Sequence, residues 1–131
     1  NFNTKIINIS GKTKEYFMLE NIGRGGYQAG LDYIIGGNDN TSGIAIWHID
    51  DNQSGNNDYN HKLVDLEEAA EAGLDLGTHS GKQTNLFFSG NKTEFNDRTD
   101  PNSKTYSGTS SGITIDNISV AGDSMTFDVT F

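Results

Sequence analysis

A chain of 131 residues, 33% of them hydrophobic, has enough apolar material for one packed core without chemical staples. Its net charge of −9 and pI near 4.5 argue against a nucleic-acid partner and against anionic membrane surfaces, both of which select clustered Lys and Arg. The absence of cysteine excludes disulfides, thiolate metal sites and cysteine nucleophiles.

No stretch reaches the roughly 18 consecutive apolar residues of a membrane span. The chain opens at Asn1 rather than Met, which leads us to expect a processed product or a fragment. Sixteen glycines, with abundant Asn, Ser and Thr, predict many turns and an all-β domain with long loops.

Thr4 to Ile9 reads as a first strand and Glu15 to Asn21 as a second, joined by a turn at Gly11-Lys12. Period-2 alternation puts Phe17 and Leu19 on one face and Tyr16 and Met18 on the other. Gly23 to Gly26 and Gly36 to Asn40 punctuate the chain around a short irregular strand within Tyr27 to Ile35.

Ile44 to Ile49 is the central strand. Ile44, Ile46 and His48 occupy one face, and Ala45, Trp47 and Ile49 the other. A near-continuous apolar run of this kind marks a strand covered on both sides. Asp51 to Asn60 follows as a polar loop. Lys62 to Ala72 reads as the one helix, with Leu63, Leu66 and Ala69 or Ala70 at helical spacing and Gly73 as its stop.

Gly77 to Thr84 is loop, and Asn85 to Ser89 a short apolar strand around Phe87 and Phe88. Gly90 to Gly112, which holds the only proline, Pro101, is a polar stretch whose length in a compact domain marks it as functional or anchored by something. Ile113 to Val120 and Met125 to Phe131 form a hairpin turning at Gly122-Asp123. Met125, Phe127, Val129 and Phe131 alternate with polar residues, so they define a buried face. The elements sum to one antiparallel, sandwich-like domain over residues 1–131, with one short helix and long polar loops.

The chemistry-bearing patterns are few. Asp50, Asn52 and Ser54 alternate and Gly55 follows, like the front half of a calcium loop, with Asp58 at its ninth position. His61 stands at the twelfth position, where a bidentate Glu belongs, so Glu67 or Glu68 must complete the shell through space. The acidic corner of Asp50, Asp65 and Glu68 is the candidate site for a structural Ca²⁺. The competing reading of Asp50 to Asn52 is a strand-ending Asx turn before a solvated loop.

His48, His61 and His79 lack the spacing of a helical metal pair, and no H-E-x-x-H is present, so zinc is not expected. His48 reads as a strand residue with a satisfied nitrogen. No spacing fixes two carboxyls across a substrate, and no G-x-S-x-G forms a nucleophile elbow. Gly23-Arg24-Gly25-Gly26 reads as a turn rather than a phosphate cradle. Glycan sequons occur at Asn8, Asn40, Asn91 and Asn117.

Four blocks in order carry a resemblance: Glu15 to Asn21; Gly43 to Asp50; Val64 to Ala69; and Asp100 to Ser103 followed by Ser111-Gly112-Ile113 and Asn117-Ile118-Ser119. Together they resemble the C-terminal region of the secreted zinc metalloproteases of the immune inhibitor A family. The resemblance implies a bacterial or archaeal extracellular protein and a β-rich module attached to a peptidase. It carries over neither activity nor zinc ligands, because the family's H-E-x-x-H helix has no counterpart here. Ala70-Glu71-Ala72-Gly73 departs from the family pattern, which has an acid or Gly after V-D-L-E-E-A.

The expectation is a non-catalytic module with a structural or substrate-positioning role, partnered by a peptidase domain in the parent chain. Two alternatives stand beside it. One is a subunit that assembles with copies of itself into a fibre or surface layer by strand addition, using a terminal strand such as Asn3 to Ile9. The other is a carbohydrate-binding or adhesive module that uses loop tyrosines Tyr27, Tyr33, Tyr59 and Tyr106.

Overall fold

β3 (Gly43–Asp50) is the strand on which the others are laid. Seven of its eight residues are buried and Trp47 is half-buried, as a run with no polar alternation requires. Both of its edges are taken. β2 (Glu15–Ile22) pairs antiparallel along its whole length, with Phe17 opposite His48 and Leu19 opposite Ile46. β4 (Val64–Leu66) pairs with the other edge and sets Asp65 opposite His48. β1 (Thr4–Asn8) joins β2 through the expected Gly11 turn, where Gly11 adopts φ 74°, and completes a four-stranded antiparallel sheet in the order β1-β2-β3-β4.

β5 (Thr114–Asp116) and β6 (Asp128–Thr130) form a second, two-stranded antiparallel sheet. The computed structural model describes residues 4–23, 42–70, 73–74, 77 and 81–131. The strand expected within Tyr27 to Ile35 and the glycine clusters beside it, Gly23 apart, lie outside the described residues.

The two sheets share one core. Ile7, Phe17, Leu19, Ile44 and Ile46 of the first sheet join Ile115 of the second, and Ile113 and Ile118 beside it, around Phe87 and Phe95. Phe95 meets Phe17 and Phe87 edge-on, with centroids 5.2 and 5.8 Å away, the offset geometry that aromatic quadrupoles favour. Each such side chain contributes about 1.5–3 kcal/mol by leaving water. The alternation in β2 is as expected: Phe17 and Leu19 are buried, while Tyr16 and Met18 are half-buried.

The long stretch from Gly90 to Gly112 is anchored rather than loose. Phe95 exchanges backbone hydrogen bonds with Ile115 (2.8 and 2.9 Å). Asp97 Oδ1 accepts from Ser103 Oγ (3.0 Å) and Ser111 N (3.3 Å), and Oδ2 accepts from Ser110 Oγ. Ser103 Oγ, fully buried, also lies 2.8 Å from Ile113 O, so its one proton is shared between that carbonyl and Asp97 and ties the loop to the residue before β5. The Asp100–Pro101 peptide in this stretch is cis.

Three expectations fail. The helix over Lys62 to Ala72 is absent from the described part of that segment. Its apolar spacing is overridden because β3 offers a free edge, which Val64, Asp65 and Leu66 occupy, and Glu67 N extends the pairing to Ile46 O (2.9 Å). The only helical turn among the described residues is a 3₁₀ turn at Gln83–Asn85.

Asn85 to Ser89 pairs at a single bridge, Phe87 with Ile44, rather than as a strand. The terminal hairpin is shorter than expected. Its ladder runs over Thr114↔Thr130 to Asp116↔Asp128, then shifts by one residue at Asn117 (φ 51°) before Ser119 N bonds Thr126 O at 2.9 Å. That extra residue is a bulge on the β5 side. Met125, Phe127 and Val129 pack against the core as their alternation predicts, but Phe131 is 84% exposed.

Gly43 sits where β3 meets the Phe87 bridge. A Cβ there would lie 2.8 Å from Leu86 Cβ and 3.2 Å from Phe87 O, at a φ of 154°. Gly43→Ala is therefore expected to lower unfolding free energy by about 1–3 kcal/mol, read from denaturant midpoints. An unchanged midpoint would show that the bridge yields.

Candidate functional site

Register decides what gathers at the Asp50 end of β3. Directly opposed residues in an antiparallel sheet share a face. Phe17, Leu19 and Ile46 line the inner face, so their register partners and period-2 neighbours do too: Glu15 and Asp50, His48 and Asp65. Glu67 follows Asp65 at the same parity, opposite Ile46. The inner face thus changes from apolar to ionisable within two residues of Phe17.

His48 is the centre of this polar end, at 3% exposure. Its Nε2 lies 3.1 Å from Glu15 Oε1 and its Nδ1 3.1 Å from Glu67 Oε1. Each of these contacts is a hydrogen bond only when a proton lies on it. Glu15 Oε1 also accepts from Tyr106 N at 2.7 Å, and Lys12 Nζ stands 3.7 Å from Glu15 Oε2. Phe17 closes one side of the imidazole, its ring centroid 4.5 Å away.

Tyr106 arrives from the long loop and stacks on His48, centroids 4.1 Å apart and planes within 12°. His61 stacks on Tyr106 as well, at 4.2 Å. Two imidazoles cannot share one face of a ring at these distances, so the phenol lies between them. Burial, and then the charges of Asp65, Glu67 and Glu15, push the Tyr106 hydroxyl far above its ordinary value. It stays protonated throughout the physiological range.

His61 Nε2 contacts Asp50 Oδ2 at 2.7 Å, and Asp50 Oδ1 accepts from Asn52 N (2.9 Å) and Asn52 Nδ2 (2.7 Å). Burial acts to raise the Asp50 carboxyl, but the hydrogen bonds from Asn52 and His61 outweigh it and hold the group below the usual carboxylate range. Lys62 Nζ pairs with Asp65 Oδ1 at 2.8 Å, and Lys62 itself is buried.

The expected calcium corner divides into separate contacts. Asp50 and Asn52 form the Asx turn of the competing reading, and Ser54 is exposed. Asp58 Oδ1 accepts from Asn60 N (2.9 Å), and Asp65 pairs with Lys62. Glu68 Oε1 accepts from Gly73 N, Leu74 N and Asn85 Nδ2 at 3.0–3.1 Å. Among the described residues, no three Asp, Glu or His side chains converge as a cation site. His79 lies outside the described residues.

Of the loop tyrosines, Tyr106 is enclosed between imidazoles and Tyr59 is 70% exposed, while Tyr27 and Tyr33 lie outside the described residues. His48 exceeds its expectation, with both nitrogens engaged rather than one. Glu15 carried no expectation from the sequence, and Glu67 only that of completing a calcium shell or pairing with Asp50. The parity that places Phe17 and Leu19 inward also places Glu15 inward, and that signal was there to be used. Tyr106 was marked only as a loop tyrosine, and nothing local set it against His48.

Comparison of the chain with protein-family models, curated proteins and solved structures finds no match.

Asp97 is held low as well: Ser110 is the main cause, opposed by burial and reinforced by Ser103 and the Ser111 and Gly112 backbone. A carboxyl whose folded value is depressed stabilises the fold above its unfolded value, about 3.9 for Asp. That contribution is lost as pH falls through the lower folded value. Stability is thus expected to fall as pH drops below about 4, and Asp50→Asn or Asp97→Asn to flatten that slope in denaturation series. Slopes identical to the parent's would refute the assignment. Glu15→Ala strands the His48 ring nitrogen and the Tyr106 N–H, and the expected loss is about 1–3 kcal/mol for each unpaired group, read by denaturant melts.

Proposed function

We propose that this chain is a non-catalytic β-sandwich module of an extracellular metalloprotease-like protein, with a structural or substrate-positioning role. One observation carries the reading. The side chain best suited to acid–base work, His48, is 3% exposed and has both nitrogens turned to internal carboxylates. A general base must reach a proton on its substrate, directly or through one water. An imidazole clamped between Glu15, Glu67, Phe17 and Tyr106 orders the fold instead. The four-block resemblance supports attachment to a peptidase and an extracellular setting.

A structural Ca²⁺ belongs to this reading as an aid to the Asp50–Asp58 loop, where it would replace the His61 contact with Asp50. A cation bound only by the folded chain raises its stability. The melting temperature should then rise with millimolar Ca²⁺ and return on chelation, and a melt indifferent to both removes the ion from the proposal. Purified chain should leave casein intact with Zn²⁺ or Ca²⁺ present. Metal-dependent cleavage, lost in His48→Ala and absent from a mock purification, would overturn the scaffold reading.

A further inference from the structure

Sheet order leaves β1 with one edge unpaired, and no backbone hydrogen bond leaves that edge among the described residues. Beside it runs a trench. One hollow of about 600 Å³ is lined by Lys5, Ile6, Ile7, Phe127, Val129 and Phe131. A second, of about 240 Å³, continues past Lys5 and Phe127 to Asn21, Ser124 and Met125. Lys5 and Phe127 line both, so the two hollows are contiguous.

The wall opposite β1 is the inward row Met125, Phe127, Val129, Phe131. The first three pack on the core, but Phe131 is 84% exposed, because the first sheet ends at β1 and nothing described lies beyond it. Ile6, on the rim, is 56% exposed. The opening has the form of a missing strand. At roughly 3.3 Å per residue, β1 matches five residues of an added strand and the row matches seven.

Lys5 is the only charged residue lining either hollow, and it has no ion-pair partner among the described residues. It lies opposite Leu19 and shares the inner face with Ile7. An occupant must therefore present apolar side chains and one carboxylate on the same face. A second copy does not fit. A two-fold β1–β1 pairing brings two Lys5 side chains together on one face, and like charges that close repel. In the chain's own Met125–Phe131 segment, Asp128 has the parity opposite to the apolar residues. Two molecules at −9 also repel at long range.

We propose that this trench takes an extended segment of a different polypeptide, added to β1 as a fifth strand, with an acid facing Lys5 between inward apolar residues. This mode gains affinity from main-chain bonds and specificity from alternate side chains. The inference goes beyond the scaffold reading and does not depend on an attached peptidase.

The probe is a capped seven-residue peptide alternating Thr and Val, with Glu at its central inward position, and a twin with Lys there. Labelled peptides are titrated by anisotropy, and β1 amide shifts locate the contact. The Glu peptide should bind about five- to tenfold more tightly than the Lys twin. Lys5→Glu should reverse that order, and Phe131→Asp should weaken both, with circular dichroism unchanged in each variant. Equal binding of the two peptides, no binding, or shifts away from β1 would overturn the proposal. Sedimentation showing a dimer lost in Phe131→Asp would also overturn it, in favour of a second copy.

Discussion

The antiparallel register between β2 and β3 is the constraint on which the rest depends. With Phe17 opposite His48, every inward residue on both strands has its place. Toward Gly43 the face is apolar and packs on Phe87 and Phe95. Toward Asp50 it is ionisable and packs on Tyr106. A slip of one residue would put Phe17 and Glu15 on the face opposite His48. Core and polar end are thus two consequences of one alignment.

The polar end makes that alignment costly to violate. Buried ionisable groups lose hydration, and networks of them add little net stability compared with apolar packing. Their effect is on uniqueness. Glu15, His48, Glu67 and the Tyr106 N–H satisfy one another only in this register and only with the long loop folded back. Stacking of Tyr106 between His48 and His61 couples β3, the loop after it and the loop before β5 at one place. Asp97 does the same for the other end of that loop, where buried Ser103 joins it to Ile113.

The open side of the molecule contrasts with this closed end. Where β1 ends the sheet, the inward row of residues 125–131 continues with no lid among the described residues, and Phe131 meets solvent. A charge on the inner face of an edge strand is a familiar guard against unwanted pairing. Lys5 is placed to do that and, by the same electrostatics, to choose among strands that approach.

Alternation and run length alone determined β1, β2, β3, the Gly11 turn, and that Phe17 shares a face with Leu19 and Ile44 with Ile46, because hydrophobic period is a local property of the chain. They also offered an Asx turn at Asp50 to Asn52 beside the calcium loop, and a functional or anchored role for Gly90 to Gly112. Only the tertiary structure decided the rest. Val64 to Leu66 is a strand because a neighbour's free edge outbid its helical spacing, and no local window contains that neighbour. The gathering of Glu15, His48, Glu67, His61 and Tyr106 spans ninety-one positions between Glu15 and Tyr106, a separation that only register and loop closure bring within a hydrogen bond.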